Sequence, residues 1–200
     1  MSREDHWQAL HAEKHTNVSW WQDSQALWFD LIQQTHLPLS APVIDVGGGA
    51  SLLVDELVRY GYDDVTLLDI AQSALDRVRS RLDQKISYVR SDVTDFTSDK
   101  KFSLWHDRAV FHFLVTDADQ AAYRESVTAN TCSDGFVILS TFADDGPEKC
   151  SGLEVARYSE RELASALGSP FEVVAMDRRS HMTPWGSEQK FVSAVFRKKG

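Results

Sequence analysis

The 200-residue sequence predicts a three-layer α/β fold: a mostly parallel sheet with helices on both faces, a helical segment before it and an antiparallel strand closing it. Three observations predict it. Short apolar runs alternate with stretches of helical apolar spacing, and short connections between such elements require parallel pairing and right-handed crossovers. The first apolar run, Val43-Ile44-Asp45-Val46, breaks into Gly47-Gly48-Gly49 and resumes as a helix near Leu52. Acids stand at successive strand ends, Asp45, Asp69, Asp92 and Asp107, where open parallel sheets bind ligands.

Residues 3–36 precede the first strand and read as two helices with a turn near 16–19; Trp7, Trp20, Trp21, Trp28 and Phe29 concentrate there. Ala26, Phe29, Leu31 and Ile32 give the second helix an apolar face. After the glycines, Leu53, Leu57 and Tyr60 continue a helix that Gly61 caps. Residues 64–69 form a second strand, and Ala71, Ala74, Leu75, Val78 and Leu82 repeat at helical spacing. Strand three, 86–90, delivers Asp92, and strand four, 102–106, delivers Asp107-Arg108. Thr116, with Asp117 and Asp119 behind it, caps a helix to about Asn130. Strand five is expected at 136–142, a surface loop at 143–152, and a short helix from the capping box Ser159/Glu162. Residues 171–176 and 191–196 are the closing strands, with a long loop, 181–186, between them.

The glycines let a polar ligand approach backbone N–H groups at the helix start. A dinucleotide fingerprint needs a third glycine where this chain has Leu52, which weakens a pyrophosphate reading. Asp69 lies about 20 residues after the loop, where an acid accepts from ribose hydroxyls. Four acids at four strand ends also admit a magnesium site, but their spacing favours a nucleoside, and no metal is expected.

Asp45-x-Gly47-x-Gly49-x-Ser51, then an acid ending strand two, then Ser91-Asp92-Val93 after strand three resembles the class I, Rossmann-like, S-adenosylmethionine-dependent methyltransferases. The resemblance covers residues 40–197 in outline and is specific through Asp107. It implies S-adenosylmethionine as cofactor and S-adenosylhomocysteine as product. Asp45 and the backbone of Gly47, Gly48 and Gly49 would serve the methionine end, Asp69 the ribose, Ile70 the adenine face, Asp92 the adenine amino group and the Val93 N–H a ring nitrogen; Asp107 joins these cofactor contacts. Residues 1–38 would form a helical lid, 40–142 the cofactor core and 143–200 the substrate-side loops and closing strands of one methyltransferase domain.

In this family the segment after strand four faces the methyl group and the acceptor, making Arg108 a substrate contact and His112 the candidate base. Trp20, Trp21, His181 and Trp185 are further candidate acceptor contacts, and their aromatic and polar mix suits a small, partly apolar molecule. Asp107-Arg108-Ala109 and the Trp-containing N-terminus are also similar to small protein-lysine methyltransferases, which commonly carry Asp-Lys-Gly there. A protein-lysine acceptor, or cofactor binding without turnover, is the alternative.

A net charge of −9 and a basic run limited to Arg197-Lys198-Lys199 argue against a nucleic-acid partner. No stretch of 18 apolar residues and no leader-like N-terminus is seen, so neither a membrane partner nor secretion is expected and a cytoplasmic location is. Cys132 and Cys150 read as reduced thiols, and His6, His11 and His15 as a solvated helix face.

Overall fold

The computed structural model describes residues 2–13, 26–49, 51–82, 85–183 and 186–200. Two helices, α1 (Arg3–Glu13) and α2 (Ala26–Gln33), precede β1 (Val43–Val46), α3 (Leu53–Tyr60), β2 (Val65–Asp69), α4 (Gln72–Leu82) and β3 (Ser87–Arg90). Then come β4 (Phe102–Arg108), a 3-10 turn (Phe111–Phe113), α5 (Asp117–Asn130) and β5 (Thr131–Phe142). A small hairpin of β6 (Lys149–Cys150) and β7 (Leu153–Glu154) is followed by α6 (Glu160–Ser165), β8 (Phe171–Met182) and β9 (Glu188–Lys198).

Seven strands form one sheet in the order β3-β2-β1-β4-β5-β9-β8. The first five pair in parallel, and β9 lies antiparallel between β5 and β8. Every residue of β1 and β2 is buried, as strands covered on both faces must be. One apolar layer gathers Trp105, Phe111, Tyr123 and Val127 under α5. The other gathers Leu31, Ile32, Leu53, Leu57 and Leu75 under α2, α3 and α4.

Local chemistry sets the helix ends. Gly61 takes φ +111 and returns its N–H to the carbonyls of Leu57 and Val58, the left-handed cap that glycine adopts without a Cβ clash. Thr116 Oγ1 accepts from Asp119 N at 3.1 Å, and Ser159 with Glu162 closes a reciprocal capping box.

Two expected boundaries move. β5 begins at Thr131, directly after α5, rather than at 136; Lys198 Nζ binds the carbonyls of Thr128 and Thr131 at 2.7 and 2.8 Å and secures that junction. The loop expected over 181–186 shrinks because β8 and β9 stay paired from Phe171↔Lys198 to Met182↔Glu188. The charged run Asp177-Arg178-Arg179 hides this strand in the sequence, yet its cations find partners in space: Arg178 pairs with Asp144 at 3.1 Å and Arg179 with Asp30 at 4.0 Å.

Candidate active site

The loop after β1 is shaped by two carboxylates. Asp69, at the end of β2, accepts the Gly49 N–H at 2.9 Å and the Ala71 N–H at 2.8 Å. Burial is the main cause that raises its pKa to about 6, against those backbone donors. Asp45, at the end of β1, points beneath the loop. A Cβ at Gly48 would stand 2.2 Å from Asp45 Oδ2 and 2.6 Å from Leu67 Cδ1, so only glycine lets the backbone pass over this carboxylate. Gly49 takes φ +53, again a conformation that suits glycine.

β1 and β4 pair so that Asp45 and His106 are direct partners. His106 Nδ1 lies 2.8 Å from Asp45 Oδ1, with the two side chains only 1% and 3% exposed. Asp45 Oδ2 and His106 Nε2 have no hydrogen-bond partner among the described residues.

Over the strand ends runs a cleft of about 1010 Å³ including its open mouth. At one end its wall carries Ile70, Ser91, Asp92 and Val93. Its middle carries the three glycines, Val46 and Leu68. At the other end stand His106, Arg108, Phe113, Cys150 and Phe191. Helix α1 crosses above, contributing Arg3, Trp7 and His11. It is held by Arg3, which reaches Asp92 at 2.9 Å and Asp119 at 3.1 Å, by Gln8 on Ser73, and by Trp7, edge-on to Phe113 at 4.9 Å. His11 is buried beside Gly49, and burial, with Arg77 nearby, lowers its pKa to about 4.

Arg108 is partly exposed, into the cleft. The surrounding protein strips enough water from its guanidinium to lower its pKa to about 10, with Asp45 and Cys150 opposing that fall. Its cation sits 5.5 Å from the Trp28 ring centroid, a favourable placement over an aromatic face. Trp28, Phe142, Cys150 and Phe191 form a small apolar cluster there. Ser151 and Gly152 both take positive φ at the β6–β7 turn, the two-residue reversal that keeps such hairpins tight and turns Cys150 inward.

Residues 43–131 match the family model described as a methyltransferase domain. Residues 43–131 thus carry a methyltransferase-type domain within the class I, Rossmann-like fold. The chain is 23% identical over 211 residues to mouse EEF1A lysine methyltransferase 2, covering 98% of itself and 83% of that protein. Among solved structures, it resembles a SAM-dependent methyltransferase from Anabaena variabilis (TM-score 0.77, 15% identity, 98% of this chain and 93% of that one). It also resembles the N-methyltransferase NodS from Bradyrhizobium japonicum with S-adenosylhomocysteine (TM-score 0.73, 16% identity, 98% and 99%). It resembles as well the Burkholderia thailandensis 1,6-didemethyltoxoflavin-N1-methyltransferase, solved with 1,6-didemethyltoxoflavin and S-adenosylhomocysteine bound (TM-score 0.68, 22% identity, 89% of this chain and 83% of that one).

The cleft brings together Asp45, Gly47, Gly48 and Gly49 with Asp69, Ile70, Asp92, Val93 and Arg108. Three other residues singled out in the sequence stand away from its wall. Asp107 faces the α5 layer, where its carboxylate accepts from Tyr123 Oη at 2.6 Å and from Val110 N at 2.9 Å; neighbouring strand residues point to opposite faces, so His106 takes the cleft side. His112 is fully buried and accepts the Phe142 N–H through Nδ1 at 3.4 Å. Burial lowers its pKa to about 3, which makes it a poor proton acceptor at neutral pH. His181 is buried within β8 opposite Gln189 rather than on a loop. Trp20, Trp21 and Trp185 lie outside the described residues. Sequence reading missed Arg3, Trp7 and His106 as wall residues. Only His106 carried a signal, its position one residue before the acid of strand four.

The wall suits S-adenosylmethionine. An unpartnered buried carboxylate oxygen of Asp45 lies under a glycine backbone, matching an ammonium nearby. At the far end Ile70 and Val93 offer apolar faces beside Asp69 and Asp92; Asp92 Oδ1 is taken by the Thr94 N–H and Oγ1, whereas Asp92 Oδ2, bound to Arg3, and both Asp69 oxygens keep a lone pair for a ligand.

Proposed function

We propose that this chain transfers the methyl group of S-adenosylmethionine to a small-molecule acceptor bound beside Arg108. The observation that carries this reading is the single cleft joining the glycine loop over Asp45 to the chamber of Arg108, Phe113, Cys150 and Phe191. The cofactor supplies a methyl carbon made electrophilic by its sulfonium. The protein's part is to bind, align and exclude water. Asp45 and the loop N–H groups hold the methionine end, Asp69 the ribose, and Ile70, Asp92 and Val93 the adenine. Helix α1 covers the cleft with Trp7 and Arg3 and acts as its lid, within one methyltransferase domain.

A small acceptor is favoured because the chamber is roofed by Trp7 against Phe113, which leaves little room for a folded protein surface. A protein lysine is the second reading, supported by the resemblance to the EEF1A lysine methyltransferase 2 of mouse; the Arg108 cation opposes entry of an ammonium group.

Calorimetric titration with S-adenosylmethionine, S-adenosylhomocysteine and NAD in parallel tests the cofactor. Micromolar binding of the first two and none of NAD is expected; NAD binding alone overturns it. Radiolabelled transfer to the small-molecule fraction of a cell extract, and not to its proteins, is the expected acceptor result, and labelling confined to protein lysines reverses it.

A further inference from the structure

We propose that His106 is the general base of this methyltransferase and that its acceptor is a weakly acidic O–H or S–H compound that enters neutral. This rests on the proposed methyl transfer and adds the acceptor class and the proton's destination.

His106 belongs to the cleft wall, on the same strand face as Arg108 two residues on. Its Nδ1 is committed to Asp45 Oδ1 at 2.8 Å. A carboxylate can only accept, so Nδ1 carries the hydrogen, and in the neutral ring that the step requires Nε2 holds the lone pair. That Nε2 is buried, in a residue 1% exposed, without a hydrogen-bond partner among the described residues. A buried polar atom is costly to leave unmatched, and an acceptor's O–H or S–H satisfies it.

Asp45 then orients the ring and stabilises the imidazolium, acting through His106 as a positioning residue. Arg108, on the same wall, stabilises the oxygen or sulfur anion as it develops and disfavours a cationic acceptor. The proton passes from the acceptor to Nε2; the acceptor atom's electron pair forms the bond to the methyl carbon as the carbon–sulfur bond breaks, its pair remaining on sulfur. The products are the methylated acceptor, S-adenosylhomocysteine and a proton released from His106 to water. His112, the base expected from the sequence, has no place on the wall.

Two measurements test this. Long-range ¹H–¹⁵N spectra of the labelled protein without cofactor, with the His106 signals assigned by their loss in His106→Asn, should show a neutral ring with its hydrogen on Nδ1. An Nε2–H tautomer, or an imidazolium at pH 7.5, overturns the proposal. Transfer is then compared within two probe pairs: benzyl mercaptan, neutral at that pH, with ionised 4-nitrothiophenol, and phenol with ionised pentafluorophenol. His106→Asn should lower the rate at least thirty-fold more for the neutral member than for the ionised one, and the pair that reacts names the acceptor atom. Equal losses for both members, or no transfer by the wild type to any probe while S-adenosylhomocysteine binds, overturns it. Absence of S-adenosylhomocysteine binding would instead remove the proposed methyl transfer itself.

Discussion

Arg3 Nη1 lies 2.9 Å from Asp92 Oδ2, joining the first helix to the carboxylate that follows β3. The second arm of the same guanidinium reaches Asp119 at 3.1 Å, so one residue fastens α1 across the cleft to two parts of the sheet layer. Its three groups are partly exposed, and such pairs contribute below about 1 kcal/mol each to stability. Arg3→Met should therefore leave the thermal midpoint nearly unchanged while speeding S-adenosylhomocysteine release several-fold in stopped-flow displacement. High salt should produce a similar acceleration in the wild type. An unchanged release rate would mean that α1 does not limit escape from the cleft.

Gly48→Ala places a methyl group where Asp45 Oδ2 and Leu67 Cδ1 already lie, 2.2 and 2.6 Å from the ideal Cβ. Overpacking of this kind costs about 1–3 kcal/mol, and the loop can relieve it only by moving off Asp45. Calorimetry should show S-adenosylhomocysteine affinity reduced by 100-fold or more, with cooperative unfolding retained at a lower midpoint. Wild-type affinity in this variant would separate the loop from cofactor binding.

Asp107 is buried, and desolvation raises its carboxyl to about 6 despite Tyr123 and two backbone donors. For an acid whose folded pKa lies above its unfolded value of about 3.9, the fold binds the proton more tightly than the unfolded chain. Its contribution to stability is thus greatest below pH 4 and declines as pH rises through 6. Asp107→Asn removes that decline. In urea unfolding, the variant should gain on the order of 1–2 kcal/mol relative to wild type between pH 4.5 and pH 7. A difference independent of pH would place the ionisation of Asp107 below this window.

His112→Leu separates interior from site. The substitution removes the acceptor of the Phe142 N–H, and an unpaired buried donor costs about 1–3 kcal/mol. Chemical denaturation should report a loss of that size, while S-adenosylhomocysteine affinity stays within about two-fold of wild type, since affinity follows contacts made in the cleft. Loss of affinity with unchanged stability would return His112 to the site.

The order of elements from β1 to β4 was legible because each signal is local. Apolar runs of strand length, a glycine break, helical spacing at Ala74, Leu75, Val78 and Leu82, and Gly61 past the helix end act within a few residues of chain. The acids Asp45, Asp69 and Asp92 could be placed at one edge for the same reason: parallel strands with right-handed crossovers deliver their ends to a common side. The C-terminal half resisted. The continuous β8–β9 ladder is made by pairing between strands, and although Arg179 donates to Asp177 in its own strand, the carboxylates of Asp144 and Asp145 that accept from Arg178 come from a distant part of the chain.

By itself, then, the sequence determined the parallel α/β order, the glycine loop and the methyltransferase-like motifs, because these depend on spacing along the chain. Tertiary structure alone decided that β4 turns His106 toward the cleft and Asp107 into the core, that Arg3 spans from α1 to Asp92, and that His112 is sealed among aromatic rings. Those outcomes depend on strand register and on which face packs against which helix, quantities that no local run of residues carries.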